Sequence, residues 1–196
     1  MRATDIIRDE HRSFAAVLHG LGYLATELKA GRMEPDFTLL DAMLRYIEGF
    51  PERLHHPKED EFLFPAVRRC APETIAAIEE LTRQHDEGRR LITELRDALE
   101  RFRGLAGVAP FAEAVERYAD FHWKHMRIEE DQILPAADAK LAPKDALVVD
   151  AAFAANEDPI SGVSEAREFR DLFRRIVNLA PAPIGVGPVR RQQGNR

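Results

Sequence analysis

His55 and Glu59 stand four residues apart, as do His125 and Glu129. On a helix that spacing puts an imidazole and a carboxylate on one face, one turn from each other. Both pairs run into the same ending: His55-His-Pro-Lys-Glu-Asp-Glu-Phe-Leu-Phe-Pro-Ala66 aligns without a gap on His125-Met-Arg-Ile-Glu-Glu-Asp-Gln-Ile-Leu-Pro-Ala136. Each is preceded by a helical stretch with its own histidine in an apolar stripe, His11 and His85. Four imidazoles and two carboxylates converging in an apolar interior call for cations, because an ionised carboxylate buried without a partner costs several kcal/mol and two facing each other cost more. The mixed nitrogen and oxygen set suits iron or manganese. Calcium prefers oxygen alone, and structural zinc usually recruits cysteine. Taken singly, His11 reads as a hydrogen-bonded core histidine and one His-x-x-x-Glu as a surface pair. The twofold repetition favours a metal site over a metal-free bundle.

Helical periodicity dominates the elements that must position these groups. Ile7, His11, Phe14, Leu18, Leu21, Ala25 and Leu28 recur at three and four residues, with Thr4 or Asp5 expected as the cap and Gly31 as the stop. A second helix runs from about Asp36 through Leu40, Leu44 and Ile47 toward Phe64, with a kink expected at Pro51 and Pro57. A third follows Pro72 and carries Ile78, Leu81, His85, Ile92, Leu95 and Leu99. After a loop over 103–110, the fourth runs from Phe111 through Val115, Tyr118, His122 and His125 to about Leu134. The expected fold is all-α: an antiparallel up-down four-helix bundle over residues 1–140, its two helix pairs related by a pseudo-twofold axis.

Two additional C-terminal helices are expected over 141–180, packing on the bundle. One is opened by Pro143 and carries Val148 and Phe153; the other is capped by Ser164 and carries Phe169, Leu172, Phe173, Ile176 and Val177. Phe169, Leu172 and Phe173 would equally serve a homodimer or a partner-binding surface. From Pro181 to Arg196 the Pro- and Gly-rich sequence has no periodicity and reads as a flexible or draped tail.

Composition narrows the class. The 196 residues are 45% hydrophobic and 32% charged, the profile of one ordinary globular domain. A net charge of -6 without clustered Lys or Arg argues against nucleic acid and anionic membranes as partners. The single cysteine, Cys70, cannot form an internal disulfide, and neither a secretory leader nor a membrane-spanning apolar run is visible, so a cytoplasmic protein is expected.

The motifs resemble those of the hemerythrin-like, or HHE cation-binding, family. The resemblance rests on Asp-Glu-His11, His55-x-x-x-Glu59 running into Leu-Phe-Pro65, Arg-Gln-His85, and His125-x-x-x-Glu129 running into Ile-Leu-Pro135, and it covers about residues 3–136. It implies His11 and His55 on one iron, His85 and His125 on the other, and Glu59 and Glu129 bridging the two. The implied cofactor is two iron ions joined by oxide or hydroxide, with manganese or zinc as substitutes.

Oxygen carriers of the family place a further histidine one turn before the position of His85, where this chain has Leu81. That departure points away from reversible oxygen carriage, toward a protein that binds oxygen, peroxide or nitric oxide for sensing or stress response. The alternative is an enzyme of oxidative or nitrosative defence, acting in peroxide decomposition or iron-sulfur centre repair. Repair branches often carry a cysteine-bearing N-terminal segment, whereas this chain begins at the His11 helix. His56 and His122 are the candidates for an additional ligand or a supporting position, and His19 is expected to be a hydrogen-bonded helix residue. A ferritin-like carboxylate oxidase needs Glu-x-x-His on two helices, and here the spacing occurs once, at Glu52-Arg-Leu-His55.

Overall fold

The first helix, α1 (Ala3–Lys29), buries Ile7, His11, Phe14, Leu18, Leu21, Ala25 and Leu28 along one stripe. It ends with Gly31 at φ 66, the left-handed conformation that glycine adopts at no steric cost. Its start differs from expectation. The cap position is Arg2, the Ala3 N–H is taken by Asp150 at 2.6 Å, and the Thr4 hydroxyl donates to Asp138 at 2.7 Å. Distant carboxylates supply what a local cap would otherwise give. The computed structural model describes residues 2–104, 106–155, 164–181 and 183–187, with side chains left aside over 164–170.

Asp36 caps α2 (Phe37–Gly49) by accepting from the Thr38 and Leu39 N–H groups. The chain then stays helical through both expected kink positions. A π-turn (Pro51–His55), one α-turn, α3 (His56–Lys58), a second π-turn (Glu59–Leu63) and α4 (Phe64–Cys70) follow without a break. Proline lacks an N–H, and its ring clashes with the carbonyl four residues back. Pro57 and Pro65 therefore force a widened turn before them, and the backbone answers with i→i−5 bonds: His55 to Phe50, His56 to Pro51, Phe64 to Glu59.

A short 3₁₀ turn (Pro72–Thr74) leads into α5 (Ile75–Arg103), and α6 (Ala109–Ile128) returns. The π-turn pattern repeats at Glu129–Ile133, before Pro135, and α7 (Leu134–Lys140) completes that arm. The helix α8 (Pro143–Ala154) packs on α1, and α9 (Ser164–Leu179) packs on α2. Among the described residues there is no strand, and no helix is long and apolar enough to cross a membrane. The fold is a helical bundle.

The described part of the C-terminal tail is draped rather than free. Ile184 packs against the core, the Val186 N–H bonds to the Val177 carbonyl, and the Gly187 N–H bonds to the Ala180 carbonyl. Residues 188–196 and the side chain of Phe169 lie outside the description.

The interior is split in two. One apolar cluster gathers Phe14, Leu18, Leu21, Met43, Ile47, Ile92, Leu95, Val115 and Tyr118. The other gathers Ile7, Leu63, Phe64, Leu81, Ile133, Leu134, Val149 and Phe153. Along α1 the order Ile7, His11, Phe14 crosses from one cluster to the other, and along α5 Leu81, His85, Ile92 does the same. The histidines and carboxylates occupy the layer between.

Candidate metal centre

His11, His55, Glu59, His85, His125 and Glu129 all lie in that layer, each at most 5% exposed. Glu59 and Glu129 stand at the start of matching π-turns, and each points its two oxygens at imidazoles from two different helices. Glu59 Oε1 is 3.1 Å from His55 Nε2, and its Oε2 is 3.4 Å from His85 Nε2. Glu129 Oε2 is 3.1 Å from His11 Nε2, and its Oε1 is 3.2 Å from His125 Nε2. Both carboxylates thus span the pair His11/His55 on one side and the pair His85/His125 on the other.

The other nitrogen of each imidazole is held. Nδ1 of His11 donates to Glu130 at 3.0 Å, that of His55 to Glu10 at 2.7 Å, that of His85 to Asp60 at 2.9 Å, and that of His125 to the Gln84 side-chain oxygen at 3.1 Å. The pattern follows the repeat. Glu10 and Gln84 precede His11 and His85, while Asp60 and Glu130 follow Glu59 and Glu129. With Nδ1 donating, each Nε2 is turned toward the centre, the arrangement by which outer partners fix a metal-binding imidazole.

These four partners were not singled out from sequence, since each is an ordinary polar neighbour of a stronger signal. Their mirrored placement on the two halves is the signal that could have found them.

Ligand-capable atoms form two groups, each within 4.8 Å: His11, His55, Glu59 and Glu129, and His56, Glu59, His85 and His125. His56 therefore joins the second group, whereas His122 falls outside both and faces Glu52 at 3.7 Å. His19 is in neither. Leu81 is fully buried in the apolar cluster that also holds Ile7 and Phe153, so the position where oxygen carriers place a histidine is core here.

The donor set fits a cation on its own terms. Among the described residues, twelve buried side-chain nitrogen and oxygen atoms lack a hydrogen-bond partner, and all of them belong to this layer. They include Nε2 of His11, His55, His85 and His125 and both oxygens of Glu59 and Glu129. Orphaned groups at that density are otherwise rare in an interior. Protons substitute for cations before a metal enters. Burial pushes His11 down, but Glu129 and Glu130 outweigh it and raise the group to about 9. His85 is likewise lowered by burial and carried up to about 9 by Asp60 and Glu59. Burial and Glu129 push the Glu59 carboxyl up, yet the His55 and His85 imidazoles hold it below its usual range. Glu129, pushed up by burial, is held well below by His125 and His11.

A helical bundle whose mid-layer gathers buried imidazoles and two carboxylates into two adjoining groups of ligand-capable atoms defines a metal-site bundle protein. Residues 2–137 match the hemerythrin HHE cation binding domain, and the chain belongs to that family. No curated protein matches the chain significantly.

Proposed function

We propose that this chain holds two iron ions side by side and uses them to bind oxygen or a related small molecule, peroxide or nitric oxide, in sensing or stress response. The observation that carries the reading is the sharing of Glu59 by both ligand groups, with Glu129 likewise facing imidazoles of both. His11 and His55 would hold the first ion and His85, His125 and His56 the second, with the two carboxylates between them. An antiparallel up-down arrangement of α1, the α2–α4 arm, α5 and the α6–α7 arm accounts for four helical walls meeting in one layer. When bound, the iron pair supplies electrons and open coordination positions to a small oxidant.

The chain's own part is to orient and to exclude. Glu10, Asp60, Gln84 and Glu130 fix the imidazoles so that little reorganisation accompanies binding. Phe14 in one apolar cluster, and Leu63, Phe64 and Ile133 in the other, flank the layer with buried apolar side chains that would keep water sparse around bound metal. Metal analysis after anaerobic iron loading tests the reading. About two irons per chain are expected, as in other bundle-borne metal pairs, and a content under about half an equivalent would defeat it.

One observation favours the enzymatic alternative, peroxide decomposition. Glu52, Tyr118 and His122 form a buried group beside His56, with proton-carrying side chains within reach of the second ion. Burial pushes the Glu52 carboxyl up against the opposing pull of the Tyr118 hydroxyl. Oxygen release from peroxide by the iron-loaded protein separates the two readings, since a sensor would form a lasting adduct instead.

A further inference from the structure

Glu52 is 7% exposed and belongs to neither ligand group. Its Oε1 accepts from the Tyr118 hydroxyl at 3.1 Å and lies 3.7 Å from His122 Nε2; its Oε2 lies 3.5 Å from His56 Nδ1. Gly88 on α5 makes the room, because a Cβ there would come within 3.2 Å of Glu52 Oε1 and 3.4 Å of the His122 ring. A buried carboxylate is costly, so a role that only fills space would be better served by an apolar residue.

The ligand imidazoles supply the comparison. His11, His55, His85 and His125 each have a side-chain oxygen hydrogen-bonded at Nδ1, and Glu52 Oε2 faces the same nitrogen of His56 at a longer 3.5 Å, with neither of those two atoms hydrogen-bonded elsewhere. Glu52 differs from the other four in being hydrogen-bonded by a fully buried tyrosine, which fixes its own orientation.

The same carboxylate lies beside two competing imidazoles, His56 and His122, whose rings are parallel with centroids 5.9 Å apart. The His56 ring stacks on His85 at 4.4 Å between centroids and belongs to the second ligand group. The His122 ring sits between Tyr118 at 4.4 Å and Phe14 at 5.1 Å, outside it.

We infer that Glu52, anchored by Tyr118, is the positioning residue that delivers His56 to the second metal and holds His122 away from it. This rests on the two-metal reading above. The pair compensates for Leu81, bringing an imidazole from the π-turned arm after α2 where α5 lacks one.

The test uses the full chain loaded with two equivalents of cobalt(II), whose visible absorption reports coordination number, followed by competition with a chelator. Glu52→Ala is expected to speed loss of the second metal at least about tenfold, the size typical of removing an outer partner, and to change the visible bands as His56→Ala does. The first metal should be retained. Glu52→Gln, which keeps an oxygen acceptor as Gln84 does for His125, should restore most of the loss, and Tyr118→Phe should fall between. Adding Glu52→Ala to His56→Ala should cost nothing further, because the two act on one metal through one contact. Additive losses would overturn the inference, as would His122→Ala releasing as much metal as His56→Ala, or no rescue by Glu52→Gln. Fewer than two cobalt ions on the unaltered chain would instead defeat the two-metal reading itself.

Discussion

At the scale of the residue, the two carboxylates and the histidines carry different burdens. Glu59 and Glu129 each face imidazoles of both groups, so Glu129→Ala should drop iron content below about half an equivalent, whereas His11→Ala should leave about one. Metal analysis of the two purified variants checks this, and equal losses would mean that the carboxylates do not bridge. Protons compete for the same nitrogens. His11 and His85, raised to about 9 from 6.5, stabilise the metal-free chain fully below about pH 6.5, and that contribution is lost as pH rises through about 9. Melting of the metal-free chain should therefore shift downward between pH 6.5 and 9, while the loaded chain, with metal in place of those protons, should hold level. A metal-free melting temperature that rises across this window would contradict the charge balance described above.

The six residues with ligand spacing were legible because the repeat doubled a signal that one copy would have left ambiguous. Glu10, Asp60, Gln84 and Glu130 were not. Each adjoins one of these six in sequence but bonds to one on another helix, and adjacency along the chain carries no information about reach across the bundle. Glu52 was visible only as half of an unmatched Glu-x-x-His, since its partners Tyr118 and His122 come from α6.

At the scale of the element, the prolines after each His-x-x-x-Glu do more than end a motif. Pro65 and Pro135 follow π-turns that open at Glu59 and Glu129, and wide turns of this kind gather at functional sites. A kink is expected in the second helix at Pro51 and Pro57, and there the chain accommodates its prolines by widening two turns, Pro51–His55 and Glu59–Leu63. Periodicity at 3.6 residues cannot announce that response, because a π-turn adds a residue without disturbing composition. Pro135→Ala should let the turn tighten toward α-helix. It should stabilise the metal-free chain by about 1 kcal/mol or more, given the cost of proline inside a helix, while iron is lost to a chelator about tenfold faster. Denaturant melts and chelator kinetics on one preparation read both effects, and unchanged iron retention would remove the π-turn from the account of the site.

Considered whole, the molecule is a two-core bundle with a polar layer between the cores, and α8, beyond the family's matched span of residues 2–137, reaches that layer. Phe153 on α8 is fully buried, its ring nearly perpendicular to that of His55 with centroids 6.2 Å apart, and Asp150 on the same helix caps α1. On α9, Phe173 meets Tyr46, which stacks on Phe50, whose ring lies 6.5 Å from His55. The extension was legible as two helices, but the docking of α8 on the His55 side was not, since no pattern in 141–180 names the surface it covers. Phe153→Ala should cost about 3 kcal/mol or more of stability through the cavity it leaves. It should also speed release of the iron held by His11 and His55 ahead of the other. Loss of stability with both irons released at equal rates would show that α8 supports the bundle without reaching the site.

The central claim is that two metal ions share Glu59 and Glu129. Diffraction from crystals of the iron-loaded chain, with anomalous difference maps at the iron edge, tests it most directly. Two peaks are expected inside the layer, one against His11 and His55 and one against His56, His85 and His125, both in contact with the two carboxylates. A single peak, or a second one lying outside the reach of Glu59 and Glu129, would contradict it.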